Sequence, residues 1–272
     1  MIQPRELLKQ FGLRPKKSLG QNFLGDIYAL NQIVQAAEVN ADDDVLEIGP
    51  GLGGLTQQLA SVARRVIAVE IDQMLIPVLR SQLADRSNVE LIHADILELD
   101  PAALLPGAAT YKVVANIPYY ITSAIIRHLL EASIKPSLIV LTVQREVAER
   151  IIARPDDMNL MAVSVQFYGT PRIMTTIKAG AFYPEPNVDS AVVRIDLDAK
   201  SRYEVSNVDT FFKVVRAGFS QKRKQIHNSL VGGLARSREE VNAWLTAAQI
   251  DPKRRAETLT LEEWTRLVNL VE

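Results

Sequence analysis

The 272-residue chain has no cysteine, which excludes disulfide bonds, thiolate metal sites and the cysteine nucleophile of cytosine-ring methylases. It has only three histidines (His93, His128 and His227), too scattered to form a metal cluster, so we expect no metal. No apolar run approaches the roughly 18 residues of a membrane span, and no charged-then-apolar leader opens the chain. We therefore expect a cytoplasmic protein, monomeric and independent of membranes.

A large net charge of either sign is also lacking: 31 Lys and Arg residues oppose 32 Asp and Glu residues, which leaves a formal net charge of −1. The charges are nevertheless unevenly placed. Residues 1–24 carry five basic residues against one acidic, residues 201–272 carry twelve against nine, and the centre carries fourteen against twenty-two. Basic ends beside an acidic centre indicate phosphate contacts at the ends, although a solvated surface gives the same pattern.

Glycine is concentrated in one stretch, VLEIGPGLGG at positions 45–54. An apolar run that enters a glycine turn and leaves as an amphipathic segment is typical of a strand, a tight turn and a helix that hold a nucleotide-like cofactor. Gly49 and Gly51 let the backbone approach such a ligand. With Gly54 they also fit G-x-G-x-x-G, so a plain turn and a dinucleotide site stay open. Pro50 argues against the dinucleotide, since it offers no N–H to a pyrophosphate.

Two acids at the ends of the next strands favour S-adenosylmethionine over NAD. Glu70 closes the apolar run 65–70, where a carboxylate can accept hydrogen bonds from both ribose hydroxyls. Asp95 closes the run 89–95 and suits the free amino group of an adenosine. Ile71 and Ile96, which follow the acids, complete this part of the predicted cofactor site.

Alternating strands and helices up to residue 200 predict a Rossmann-like α/β fold with a mostly parallel, seven-stranded sheet. Within it, positions 163–167 are predicted to be extended. Beyond residue 200 no strand pattern appears, and capping boxes that begin at Ser237 and Thr260 mark helices. We therefore divide the chain into a catalytic domain, 1–200, and a small all-helical domain, 201–272.

The clearest chemical signal is Asn116-Ile117-Pro118-Tyr119 at the end of a predicted strand. An amine conjugated to an aromatic ring is a poor nucleophile, because its lone pair is delocalised. The Asn116 side-chain oxygen and the Ile117 carbonyl could accept its two N–H bonds and free that lone pair. Pro118 would stiffen the turn and Tyr119 would stack on the base. Phe182, held by nearby prolines, is a candidate for the second face of an aromatic clamp.

Two basic segments are candidates for RNA binding. Lys16 and Lys17 lie in the N-terminal segment, 1–24, which we interpret as a lid over the cofactor. Lys222, Arg223 and Lys224 open the helical domain, where they would bind phosphates without reading sequence.

Taken together, these motifs resemble the ribosomal-RNA adenine dimethyltransferase family. The matches cover nearly the whole chain in family order: KKSLGQNFL from 16, LEIGPGLGGLT from 46, VEID from 69, NIPYY from 116, FYPEPNVDS from 182 and FSQKRKQIHNSL from 219. The resemblance implies two methyl transfers to each of two adjacent adenosines near the 3′ end of small-subunit ribosomal RNA. It further implies cofactor contacts at Asn22, Leu24, Gly49, Glu70, Asp95 and Asn116. Ile117 and Tyr120 are mild departures that leave the Asn and first Tyr in place.

Other functions remain to be distinguished. Macrolide-resistance methylases modify large-subunit RNA with similar motifs, and the helical domain favours the small-subunit reaction only by resemblance. A non-catalytic ribosome-assembly factor would lose Glu70 or Asn116, and both are present. A DNA adenine methylase and an NAD oxidoreductase are the remaining alternatives.

Overall fold

The computed structural model describes residues 3–101, 103–118, 121–198 and 202–271. Its strands, in chain order, are β1 (Phe23–Leu24), β2 (Asp44–Ile48), β3 (Arg65–Glu70), β4 (Val89–His93), β5 (Lys112–Asn116), β6 (Leu138–Gln144), β7 (Gly169–Ile177), β8 (Phe182–Tyr183) and β9 (Ser190–Leu197). Seven of them form one sheet in the order β4-β3-β2-β5-β6-β9-β7. The neighbours from β4 to β6 are parallel and β9 is antiparallel to β6, which confirms the mostly parallel sheet.

The helices are α1 (Pro4–Gln10), α2 (Ile27–Ala37), α3 (Gly54–Ala60), α4 (Ile76–Gln82), α5 (Thr122–Glu131), α6 (Arg145–Ile151), α7 (Leu160–Tyr168), α8 (Val208–Phe219), α9 (Ile226–Leu234), α10 (Arg238–Ala247) and α11 (Leu261–Val268). No helix among the described residues is long and apolar enough to cross a membrane. Both predicted capping boxes are present, from Ser237 to Glu240 and from Thr260 to Glu263, and they begin α10 and α11.

Central strands of the sheet are buried along their length, as continuous apolar runs in a parallel sheet require. Every residue of β2 is buried, including the two acids Asp44 and Glu47. Arg64 and Arg65 neutralise Asp44 at the amino end of the strand, with N–O distances of 2.9 and 3.1 Å. Glu47 lies near the opposite, carboxyl end of the strand.

The chain divides into two compact units, 1–148 with 171–197 and 149–170 with 198–272. The division predicted from sequence placed residues 149–170 in the first domain, and here the structure differs. The reason lies in α7, whose Phe167 is fully buried and stacks on Phe211 of α8 with ring centroids 4.3 Å apart. This aromatic contact belongs to the core of the helical unit.

The prediction that positions 163–167 are extended is wrong, because they form the middle of α7. Val163 and Val165 are β-branched and favour strands locally. The Asn159 side chain, however, accepts a hydrogen bond from the Ala162 N–H at 3.1 Å and caps the helix.

The proline and glycine residues of the N-terminal segment predict an extended chain without regular structure, but the structure differs. It contains the helix α1, a 3-10 turn at Lys17–Leu19 and the short strand β1. Strand β1 pairs antiparallel with β8, with Phe23 opposite Tyr183 and Leu24 opposite Phe182. The pairing attaches this segment to the first unit beside the glycine turn.

Candidate functional site

A cavity of about 290 Å³ opens at the carboxyl ends of β2, β3, β4 and β5. In open α/β sheets this edge is where ligands bind. Its lining contains all nine residues of the predicted cofactor site: Asn22, Leu24, Gly49, Gly51, Glu70, Ile71, Asp95, Ile96 and Asn116. Ile117 and Pro118 line it as well. Residues spread over a hundred positions of sequence therefore meet at one site within the first unit.

The glycine turn forms the floor of the cavity and needs glycine for two different reasons. Gly49 has a φ of +69°, a backbone conformation that side chains disfavour, although a Cβ would meet nothing there within 4 Å. Gly51 has a φ of +59°, and a Cβ would in addition lie 3.1 Å from the ring of Phe23. The segment around β1 can therefore pack directly on the turn.

Glu70 is fixed in place by backbone groups on both sides. One carboxylate oxygen accepts from the Gly51 N–H at 3.1 Å and the other from the Asp72 N–H at 2.8 Å. Burial raises the pKa of Glu70, and these backbone hydrogen bonds oppose the rise. Each oxygen keeps a lone pair for a further donor, so the group can accept two adjacent hydroxyls.

Asp95 is anchored in a similar way at the end of β4. One of its oxygens accepts from the Leu97 N–H at 2.9 Å and caps a 3-10 turn. Ile96 is almost fully buried, whereas Ile71 is half exposed, and both line the cavity. An acid flanked by two apolar side chains can bind a flat base that carries an amino group.

Asn116 lies at the carboxyl end of β5, where its carboxamide has two distinct ends. The Nδ2 group donates to the Asn22 carbonyl at 3.4 Å, and the oxygen has no hydrogen-bond partner among the described residues. Ile117 is 2% exposed beside it, and Pro118 follows. Tyr119, predicted to stack on the target base, lies outside the described residues.

Phe182, the candidate for the second face of the aromatic clamp, is a buried residue of the first unit. Its side chain is 5% exposed and packs in the core beside Leu24. The partner of Phe182 across the β1–β8 pair is Leu24, which lines the cavity. Phe182 itself is not among the described residues of the cavity wall. The ring thus supports β1 in this structure.

Lys16 is a largely exposed lysine that forms an ion pair within the first unit. Its Nζ lies 2.7 Å from one oxygen of Asp72, and the Gln21 amide donates to the other at 2.7 Å. Burial raises the pKa of Asp72, but the hydrogen bonds from Lys16 and Gln21 outweigh it and hold that pKa below its usual range. Asp72 and Gln21 are site-supporting residues that the sequence reasoning missed, since the 56-residue separation from Lys16 to Asp72 hides the contact.

The remaining predicted RNA-binding residues are exposed. Lys17 begins a 3-10 turn in the first unit. In the second unit Lys222, Arg223 and Lys224 lie on the turn between α8 and α9, and within the described chain none of the three forms an ion pair. All four are free to contact a phosphate.

The charged side chains in the described lining of the cavity are all acidic. Three carboxylic acids line it (Glu47, Glu70 and Asp95), and its described lining includes no Lys, Arg or His. Such a site favours a ligand with positive charge. S-adenosylmethionine fits this lining, because its sulfonium and ammonium groups are cationic and its ribose and adenine offer donors. Among the described residues no cluster of His, Asp or Glu could hold a metal.

The sequence is similar to those of proteins named for the modification of ribosomal RNA. A model of the ribosomal RNA adenine dimethylase family matches residues 12–272. The chain is 47% identical over 268 residues to ribosomal RNA small subunit methyltransferase A of Dehalococcoides mccartyi (strain CBDB1), covering 98% of this chain and 92% of the relative. It is 44% identical over 271 residues to the protein of the same name from Moorella thermoacetica (strain ATCC 39073 / JCM 9320), covering 96% and 94%.

Solved structures give the same picture of the fold. The 23S rRNA methyltransferase ErmE matches with a TM-score of 0.73 at 30% identity, over 92% of this chain and 99% of that one. A dimethyladenosine transferase from Plasmodium falciparum matches with a TM-score of 0.73 at 25% identity, over 90% and 95%. Both confirm the Rossmann-like methyltransferase fold.

Proposed function

The chain belongs to the ribosomal RNA adenine dimethylase family, and from this premise we propose that it dimethylates two adjacent adenosines near the 3′ end of small-subunit ribosomal RNA. The methyl donor is S-adenosylmethionine. The observation that carries the proposal is the meeting of Glu70, Asp95 and Asn116 with its Ile-Pro turn at one acidic cavity.

When bound, S-adenosylmethionine supplies a methyl group on a positively charged sulfur that a nitrogen lone pair can attack. Glu70 would accept the two ribose hydroxyls, since backbone N–H groups already hold its oxygens in position. Asp95 would accept from the adenine amino group of the cofactor, between the apolar side chains of Ile71 and Ile96. Asn22, Leu24, Gly49 and Gly51 would shape the remaining wall.

The target amine would be activated at Asn116. Its free side-chain oxygen and the Ile117 carbonyl would accept the two N–H bonds of the exocyclic amine and localise the nitrogen lone pair. Positioning of this kind can replace a strong base, because the nitrogen becomes cationic on methylation and then loses its proton readily. Pro118 limits the motion of the turn, and Tyr119 would stack on the extruded base.

The small ribosomal subunit is the proposed partner. The relatives named for this subunit are 40–47% identical to the chain, whereas the large-subunit enzyme ErmE is 30% identical. Lys17 in the first unit and residues 222–224 in the second offer exposed cations for its phosphates, a role that positions RNA without reading its sequence. Methylation of large-subunit RNA is the second candidate, since ErmE shares the fold over nearly its whole length.

Labelled methyl transfer tests these alternatives directly. Unmethylated small subunits, large subunits and duplex DNA would be incubated in parallel with the enzyme and labelled S-adenosylmethionine. We expect label only in the small subunit, in dimethyladenosine, at a limit of four methyl groups per particle. Label confined to large subunits or DNA would overturn the proposed substrate and leave the chemistry of the site intact.

A further inference from the structure

Tyr28 is an aromatic residue that the fold leaves in solvent next to the candidate site. It is 70% exposed, and of the aromatic residues that the structure describes it alone is exposed. Within the described chain its side chain takes part in no hydrogen bond or ring contact. Packing of the fold therefore does not account for an aromatic ring at this position.

The first turn of α2, where Tyr28 lies, is at the same edge of the sheet as the cavity. Just before β1, the Asn22 carbonyl accepts a hydrogen bond from the Asn116 side chain at the carboxyl end of β5. Helix α2 begins five residues after Asn22. Leu24, before the helix, and Leu30, within its first turns, both line the cavity. Tyr28 stands between these two lining residues in the chain.

The ring projects past the end of α2 from a fixed base. Side chains in a helix lean toward its N-terminus, so those of the first turn extend beyond the helix end. Ile27 and Tyr28 are exposed there, whereas the next two residues are buried. The Asp26 side chain accepts from the backbone N–H groups of Tyr28 at 2.8 Å and Ala29 at 3.2 Å, which fixes the turn that carries the ring.

A nucleic-acid base suits this surface better than a protein partner does. Two exposed side chains, those of Ile27 and Tyr28, offer much less apolar area than a stable protein interface needs. A single ring, by contrast, is covered by one base, and every base has a face that can stack on it. A base that enters an active-site pocket must leave its stack, so the next base along the strand loses a neighbour and gains from a new one.

We propose that Tyr28 stacks on the base that flanks the target adenine in the RNA substrate and so holds the strand while the target amine lies at Asn116. This inference rests on the proposed function. Tyr28 then contributes to binding of the substrate and leaves the cofactor site and the methyl transfer itself unaffected. In a pair of adjacent target adenosines, one adenosine would occupy the Tyr28 ring while the other is methylated.

Single-turnover methylation of unmethylated small subunits, at saturating S-adenosylmethionine and a series of subunit concentrations, tests this role. Tyr28→Ala should raise the half-saturating subunit concentration about tenfold and leave the rate at saturation within twofold of wild type. Tyr28→Phe keeps the ring and should behave as wild type. Tyr28→Leu keeps apolar bulk without a π-face and should behave as Tyr28→Ala. A merely structural role for the side chain would not separate Phe from Leu in this way.

Two controls accompany these variants. Val62→Ala removes an exposed apolar side chain between α3 and β3, at the opposite edge of the sheet, and should leave subunit binding unchanged. Calorimetry with S-adenosylmethionine and the melting temperature should be the same for wild type and for all three Tyr28 variants.

The stack itself is tested with small subunits reassembled around RNA in which each of the two target adenosines in turn is abasic. Whichever side of its target Tyr28 contacts, one of these substrates lacks the flanking base beside the remaining adenosine. On that substrate wild type should bind as weakly as Tyr28→Ala, and the two should no longer differ. A loss from Tyr28→Ala that is as large on both abasic substrates as on the intact one would overturn the stack.

The results distinguish the two proposals. If wild type labels no small subunits, the proposed substrate fails, and the same variants are compared on whichever RNA is labelled; if no RNA is labelled, both proposals fail. On a labelled RNA, a half-saturating concentration for Tyr28→Ala within twofold of wild type overturns the role of Tyr28 alone. Tyr28→Phe as weak as Tyr28→Ala, or Tyr28→Leu as strong as wild type, would overturn it equally.

Discussion

Asn116 has one end of its side chain held by the protein and the other end available. Its nitrogen is used by the Asn22 carbonyl at 3.4 Å, and this contact aims the carboxamide. The oxygen then has a fixed direction without a described partner. A side chain arranged in this way costs little reorganisation when a substrate amine arrives, which is what catalysis by positioning requires.

Replacing Asn116 by Ala should therefore lower methyl transfer by roughly 100-fold or more, because the amine loses one of its two acceptors. The position ends a strand and lies partly exposed, so the variant should fold and bind the small subunit. Single-turnover methylation at saturating cofactor measures the step itself. A rate near that of wild type under those conditions would remove Asn116 from the mechanism, and calorimetry with S-adenosylmethionine checks that cofactor binding falls less than the rate.

At the scale of elements, the N-terminal segment is attached to the cavity by a short chain of contacts. Lys16 and Gln21 bind the Asp72 side chain, and the Asp72 backbone N–H binds Glu70. Phe23 in addition packs against Gly51. The segment that forms one wall of the cavity is therefore connected to the acid proposed to bind the ribose.

Lys16→Met should weaken cofactor binding by about two- to fivefold, a modest effect because the lysine is 44% exposed and the pair is partly screened. The same change should make residues 13–24 more sensitive to limited proteolysis. Lys17→Met is the matched control, since Lys17 is the adjacent lysine, is exposed and has no ion pair in the described chain. Equal effects of the two substitutions would show that Lys16 acts through net charge alone.

Sequence patterns predict the elements that a short stretch of residues specifies by itself. The glycine turn, the acids at or just beyond the ends of β3 and β4, and the capping boxes of α10 and α11 can be predicted because each is specified within about ten residues. For helix α7 the β-branched Val163 and Val165 predict a strand, whereas the structure has a helix that Asn159 caps and whose Phe167 stacks on Phe211, 44 positions away.

Long-range contacts account for the rest of the differences. The sequence predicts an RNA contact for Lys16 and an aromatic clamp for Phe182. In the structure Lys16 also pairs with Asp72 and Phe182 packs in one core cluster with Leu24, and no local pattern specifies either contact. The sequence marks Glu47 as unusual, because a charged residue within an apolar strand that is fully buried needs an explanation. Its place in the lining of the cavity depends on elements that sequence alone does not bring together.

At the scale of the whole molecule, charge is divided by region. Residues 25–200 carry twenty-two acidic residues against fourteen basic ones, so most of the catalytic part repels phosphate. The exposed cations at 222–224 lie in the helical unit, and they offer attraction that the acidic region lacks. Long-range attraction of this kind raises affinity without selecting a sequence.

Reversing Lys222, Arg223 and Lys224 to Glu should weaken binding to the small subunit and flatten its dependence on salt, because fewer counterions are released. Cofactor affinity should stay unchanged. Reversal of Lys213 and Arg216, which are exposed on α8, controls for a general loss of positive charge. Binding measured across a series of salt concentrations checks the prediction, and an unchanged slope in the triple variant would mean that the 222–224 turn does not meet RNA phosphates.

The wall formed by the N-terminal segment has a consequence for the timing of the reaction. Each cofactor carries one methyl group and each adenine of the proposed substrate receives two, so the cavity must be emptied and refilled between the two transfers. Leu19–Leu24 is fastened by side-chain contacts and a two-residue strand pair, outside the central sheet. A segment held by these contacts can open and close again each time the cofactor is exchanged. The Lys16–Asp72 contact would then set how long a spent cofactor dwells, and with it the share of adenines released after a single methylation.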